Sequence, residues 1–193
     1  HHPGGSPPVG VRGAVPAGAG RSSPGLSGKG GIPVLSVYLI CVGKLKEKFY
    51  QEACAEYVKR LSRFCKLELV ELPEERLPSN PSQAQIDAAL EKESQAIRAK
   101  LPPSAVLAAL CVEGRMRSSE ELAQLVGTWE QSSAKHLVFL IGGSYGLHPS
   151  IKAEAQVKLS MSPMTFPHHL ARVMVLEQVY RAFQIAAGTR YHK

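Results

Sequence analysis

The sequence has little of what marks several protein classes. Its 193 residues include only four cysteines, Cys41, Cys54, Cys65 and Cys111, and no two form a CxxC pair. That density excludes a disulfide scaffold and offers no cysteine-rich metal site. We read them as reduced, mostly buried thiols of a cytoplasmic protein, with no metal expected. Long apolar runs are missing too. Val34–Val42 is about half of the ~20 residues a membrane-spanning helix needs, so no membrane span is expected. Aromatic residues are 6% of the chain. No HExxH, GxSxG or paired-carboxylate arrangement occurs, which removes the common metallohydrolase and serine-hydrolase readings.

One kind of charge is missing from one region. Residues 1–33 contain no Asp or Glu, yet hold 10 of the 17 glycines and 6 of the 14 prolines. A segment with so little to bury cannot offset the entropy of ordering itself. It is expected to be a disordered extension outside the native domain. A start assigned upstream of the true one is the favoured origin. A cloning remnant comes second, and an organelle transit peptide third, since amphipathic periodicity is lacking.

What is present is a basic balance and a regular alternation. Lys and Arg outnumber Asp and Glu by 23 to 16, a formal charge of +7. Residues 34–193 hold 20 of the basic and all 16 acidic groups, so the domain itself is about +4. That favours an anionic partner without separating nucleic acid from simple solubility.

From Val34 the pattern predicts strands at Val34–Val42, Cys65–Leu72, Ala105–Val112, His136–Ile141 and Val157–Ser160. Helices are predicted over Leu45–Arg63, from an N-capping Ser82 to Leu101, and after a capping box at Ser118–Glu121. A short one starts near Pro149, and a long one runs from a first turn at Pro167 to Ala187. The last is apolar over more than one face (Leu170, Val173, Leu176, Val179, Phe183), which suggests burial against its own sheet and a partner subunit. Repeated β-α units imply a parallel α/β sheet with helices on both faces, with ligands at the carboxyl ends of the strands.

Candidate chemistry lies in the last third. Gly142-Gly-Ser-Tyr-Gly146 follows a strand but is neither GxGxxG nor a P-loop. It reads equally as a ligand-free tight turn or as a place where a ligand approaches the backbone. Residues 160–167 form a loop of little charge whose amides, hydroxyls and thioethers suit an adenine, or form an ordinary connection. His168 and His169 open the last helix and diverge by about 100°, so they make no metal pair. The basic tail 188–193 would, on periodicity alone, fray.

Six segments, taken together, resemble a known family. They are Val-Gly-Lys-Leu-Lys-Glu-Lys (42–48), Tyr-Val-Lys-Arg-Leu-Ser-Arg (57–63), Phe-Leu-Ile-Gly-Gly-Ser-Tyr-Gly-Leu (139–147), Met-Thr-Phe-Pro-His (164–168), Leu-Glu-Gln-Val-Tyr-Arg-Ala-Phe (176–183) and Tyr-His-Lys (191–193). In this order and spacing they resemble the RlmH family of SPOUT-class ribosomal RNA methyltransferases, over 34–193 and none of 1–33.

The resemblance implies an α/β-knot fold with a C-terminal trefoil knot, a homodimer, and S-adenosylmethionine as cofactor. The implied activity is methylation of N3 of a pseudouridine in 23S rRNA on the assembled ribosome. Carried over by position, the cofactor contacts fall on Leu110, Gly142 and Met161, Ser162, Pro163, Met164, Thr165 and Phe166. Family members commonly have Asp where this chain has Cys111. His192 is the first candidate for base or orienter, with Tyr191 and Lys193 beside it, and His168 is second. Lys44, Lys46, Lys48, Arg115, Arg117, Arg172 and Arg190 are candidates for phosphate contact, each also readable as a solvated surface charge. A non-catalytic ribosome- or RNA-binding protein that kept the fold, and an α/β enzyme using a different nucleotide, stay open as alternatives.

Overall fold

The computed structural model describes residues 35–188. The expectations for the first 33 residues, and for Arg190, Tyr191, His192 and Lys193, lie outside the described residues.

Five strands form one wholly parallel sheet: β1 (Ser36–Val42), β2 (Lys66–Leu72), β3 (Ala105–Met116), β4 (His136–Ile141) and β5 (Val157–Ser160). Their spatial order is β2-β1-β4-β3-β5. Parallel neighbours need crossovers, which are supplied by α1 (Lys48–Leu61), α2 (Gln83–Lys100), α3 (Ser119–Glu130) and α4 (Pro149–Glu154); α5 (His168–Ala186) closes the described chain.

Strand periodicity divides the core into two layers. Val37, Leu39 and Cys41 of β1, with Leu137, Phe139 and Ile141 of β4, pack beneath α1, α3 and α5. Ile40, Val42, Val138 and Leu140 point the other way, to Ile97 of α2 and Ile151 of α4. The crossovers that leave β1 and β4 therefore go to opposite faces of the sheet. The carboxyl ends of these adjacent strands form a topological switch point, where such folds open a crevice.

Local chemistry explains the element starts. Ser82 and Ser118 each accept from the backbone N–H three residues on, and Gln85 and Glu121 reciprocate, so both helices carry full capping boxes. The first helix begins at Lys48 rather than Leu45. Leu45 is buried in the preceding loop, where its N–H donates to Glu71 at 3.3 Å and its carbonyl accepts from Gln51 at 2.8 Å. Side chains satisfy that backbone, so the helix need not. Pro167 occupies the N-cap of α5 rather than its first turn.

The third strand extends past its expected end at Val112: β3 runs on to Met116, and its register against β5 shifts between Leu110 and Arg115, leaving Val112 and Met116 exposed. The broad apolar surface of α5 is largely used within the chain, because α5 lies between α1 and α3 as well as over the sheet. Its excess of apolar residues therefore does not by itself require a partner subunit.

The cysteines are free, with Cys41, Cys54 and Cys65 buried and Cys111 half-buried. Burial raises all four thiols, those of Cys41 and Cys54 to about 12 and about 11. Among the described residues no helix is long and apolar enough to cross a membrane, and no group of three His, Cys, Asp or Glu is placed to hold a metal ion.

Candidate functional site

The carboxyl ends of β3, β4 and β5 enclose a cavity of about 420 Å³, within the range of small-molecule sites. Of the eight positions singled out for a cofactor, Leu110, Gly142, Met161, Ser162, Met164, Thr165 and Phe166 line it. Pro163 lies on the same loop but outside this wall, exposed to solvent. The loop holds its own shape, with Met164 N–H donating to Ser162 Oγ at 2.9 Å. His168 also lines the cavity. Tyr191, His192 and Lys193 are outside the described residues.

Each glycine of the 142–146 turn has its own reason: backbone crowding at Gly142, the Glu74 carboxylate at Gly143 and backbone conformation at Gly146. A Cβ on Gly142 would sit 2.3 Å from the Gly146 carbonyl oxygen, and one on Gly143 would sit 2.6 Å from a Glu74 carboxylate oxygen. Gly146 has φ +81°, a conformation that favours glycine. The turn closes through Gly146 N–H to Gly143 O at 3.1 Å, and Ser144 N–H donates to Glu74 Oε2 at 2.7 Å. Glu74 was not among the sequence candidates, since it lies 70 residues from the turn it braces.

Two more wall residues carry charge. Glu113 and Lys152 both line the cavity and pair at 2.8 Å, and that bond holds the Glu113 carboxyl below the usual carboxylate range. Cys111 lies beside them, its Sγ directed to Ala109 O at 3.8 Å. At this position the wall is uncharged, and the nearest acid is two residues on. Sequence reading missed Glu113 because the irregular stretch of β3 that turns it to the cavity has no periodic pattern.

His168 is held beside Gly43: a Cβ there would meet its Cε1 at 3.5 Å and Glu74 Oε1 at 3.8 Å. Burial lowers its pKa, the neighbouring His169 and Arg172 act in the same sense, and Glu74 opposes them. The ring is therefore neutral at pH 7 and able to accept a proton.

Not all basic candidates face solvent. Lys44, Lys46 and Lys48 are exposed beside the carboxyl end of β1. Arg115 is exposed and stands 3.9 Å from Glu121. Arg117 is half-buried, and its Nε has no hydrogen-bond partner. Arg172 is corrected outright: it is wholly buried, paired with Glu71, and donates to Gly43 O at 3.1 Å. A guanidinium so placed cannot reach an RNA phosphate.

The donor set fits S-adenosylmethionine. Backbone amides, thioethers and hydroxyls of 161–166 suit a flat, uncharged purine, and the Glu113–Lys152 pair suits hydroxyl or zwitterionic groups. Among the described residues Lys152 is the one Lys or Arg lining this wall, and it is already paired with Glu113. Those residues offer a pyrophosphate-bearing dinucleotide little countercharge.

A second cleft, of about 550 Å³, opens between the start of α3 and the face of α5 carrying Val173, Met174, Glu177 and Gln178. Leu110, Leu159, Ser160 and Met161 form walls of both cavities.

A solved structure of a probable methyltransferase from Bordetella pertussis Tohama I superposes with a TM-score of 0.50 at 16% identity, over 76% of this chain and 93% of that one. At that identity the likeness is one of fold. The family described as "Predicted SPOUT methyltransferase" matches residues 35–192, which spans the strands and helices of the described residues and the cavity walls. The chain belongs to the SPOUT methyltransferase family.

Proposed function

We propose that this protein methylates N3 of a pseudouridine in large-subunit 23S rRNA on the assembled ribosome, using S-adenosylmethionine, as a cytoplasmic homodimer with a C-terminal trefoil knot. The observation that carries the reading is the convergence of three distant segments, Leu110, Gly142 and 161–166, on one cavity whose wall includes the His168 imidazole. Family membership supports methyl transfer from this cofactor. The substrate rests on the resemblance of the six segments.

Bound in this cavity, the cofactor supplies an electrophilic sulfonium methyl. The 161–166 loop and the Gly142 backbone would hold and orient it, and the apolar walls at Leu110, Leu159 and Phe166 would limit the access of water. Alignment is the main requirement for so activated a methyl. The imide N–H must also lose its proton. His192 is the first candidate to receive it or to orient the base, with Tyr191 and Lys193 beside it. His168 is second, and its Nδ1 or Nε2 is free of a proton at neutral pH. Lys44, Lys46 and Lys48 supply positive charge along the same edge of the sheet.

In this reading a second copy sits against the α3–α5 cleft; the walls this cleft shares with the cofactor cavity and the unpartnered Nε of Arg117 support that choice. A dimer so arranged doubles a modest positive charge and recognises a folded RNA site by shape.

His192→Ala and His168→Ala tested side by side, with calorimetric binding of S-adenosylmethionine as control, decide the base. His192→Ala is expected to lose methyl transfer to ribosomes with cofactor binding intact. Full activity of that variant would refute the assignment.

A further inference from the structure

The glycine turn and His168 belong to different elements, yet one side chain faces both. Glu74 leaves the end of β2 just after Pro73 and stands half-buried. Its Oε2 accepts from Ser144 N–H at 2.7 Å and fills the space that a Cβ on Gly143 would need. Its Oε1 and the His168 ring flank Gly43, 3.8 Å and 3.5 Å from where a Cβ would stand. Gly43 takes φ +111° there, and its N–H donates to Leu72 O at 2.6 Å. The loop that carries Glu74 is itself anchored, because Glu75 N–H donates to Glu93 Oε2 at 2.8 Å.

This arrangement rests on the methyltransferase reading of the cavity and deepens it. We infer that Glu74 is the positioning residue of the site: one carboxylate oxygen fixes the glycine turn through Ser144 N–H while the other faces His168 across Gly43. A single side chain from the β2–α2 loop thereby couples a cofactor wall to the imidazole beside it. The bond to Ser144 is charge-assisted, the stronger class of hydrogen bond. The carboxylate is also the negative group that stabilises a protonated His168. The other charged neighbours act oppositely: His169 stacks edgewise at 4.2 Å, and Arg172 lies one turn further along α5. Glu47 is turned to His169, 3.6 Å from its Nδ1.

The two tasks of the carboxylate separate by substitution. Glu74→Gln keeps an oxygen acceptor for Ser144 N–H but removes the charge facing His168. Glu74→Ala removes both. In the protein without cofactor, NMR reads the exchange rate of the Ser144 amide and the titration midpoint of His168. Calorimetry then reads the affinity for S-adenosylmethionine.

For Glu74→Gln the expected result is Ser144 exchange and cofactor affinity between those of wild type and Glu74→Ala, since a neutral acceptor remains, with the His168 midpoint shifted to lower pH. For Glu74→Ala it is the same midpoint shift, faster Ser144 exchange, and cofactor binding weaker by about ten-fold, the effect of one lost charge-assisted bond. A bystander carboxylate would leave the His168 midpoint in place in both variants, and that result overturns the inference. So does unchanged Ser144 exchange in Glu74→Ala. Should Glu74→Ala fail to fold, Glu74→Gln decides through the His168 midpoint. If wild-type protein does not bind S-adenosylmethionine, the methyltransferase reading fails, while the two NMR readouts still judge Glu74.

Discussion

Arg172, wholly buried on α5, reaches the carboxylate of Glu71 at the end of β2 and donates a second hydrogen bond to Gly43 O at 3.1 Å. Glu71 also accepts from Leu45 N–H at 3.3 Å. Three segments far apart in sequence thus meet on one guanidinium, directly behind the Gly43 turn that touches His168. Arg172→Ala is expected to destabilise the fold by about 3 kcal/mol, the usual consequence of breaking a buried pair from one side. Glu71→Gln should cost less, because its carboxylate is one-third exposed. Arg172→Lys should fall between, since an ammonium cannot span both partners. Urea unfolding checks all three, and an Arg172→Ala protein as stable as wild type would contradict the role.

Two glycines should respond in opposite directions. Gly143→Ala places a methyl 2.6 Å from Glu74 Oε2 and must push that carboxylate off Ser144 N–H or shift the turn. We expect a loss of about 1–3 kcal/mol, as for other overpacked positions, with weakened cofactor binding. Gly127 lies inside α3 with nothing within 4 Å of an added Cβ. Gly127→Ala should stabilise by about 0.5–1 kcal/mol through helix propensity. Thermal melts of the pair measure both.

Glu93 is buried, and burial holds its carboxyl above the usual carboxylate range; the Glu75 N–H bond opposes this, and Glu74 and Glu75 add to it. Because the folded-state pKa is the raised one, the folded protein keeps this proton where the unfolded chain has lost it. Its contribution to stability is full below the ordinary carboxylate pKa and is lost as pH rises through the raised one. Glu93→Gln mimics the protonated form and retains an acceptor for Glu75 N–H. It should match wild type near about pH 4 and exceed it near about pH 7.5. Urea titrations at the two pH values test this, and a variant less stable at the higher pH would contradict it.

The α3–α5 cleft gives a test of assembly. Met174 lines it and is partly exposed. Met174→Lys places a charge where the second copy is proposed to sit, and burying it unpaired is costly. Sedimentation should show a dimer for wild type and a monomer for Met174→Lys. A dimer in both would move the interface elsewhere.

Much of this fold was legible wherever the information is local. The capping boxes at Ser82 and Ser118 and the apolar strands at β1 and β4 depend on residues within a few positions of each other. The walls at Leu110, Gly142 and 161–166 came from the family resemblance, and the cavity gathers seven of those eight positions. What was not legible depends on strand order. Glu74 meets Ser144, and Arg172 meets Glu71, only because β2, β1 and β4 are neighbours in the sheet. Nothing in a basic residue's sequence context distinguishes buried Arg172 from exposed Lys44. The double glycine suggested room for a ligand, whereas the crowding comes from Glu74 and Gly146.

Methylation of one base on an assembled particle is the activity proposed for this protein. The direct measurement is transfer of labelled methyl from S-adenosylmethionine to intact ribosomes and, in parallel, to naked rRNA, with the modified nucleotide located by mass spectrometry. Ribosomes should yield N3-methylated pseudouridine in large-subunit rRNA, with little or no transfer to naked rRNA. No transfer to either, or a methyl on a different base, would contradict it.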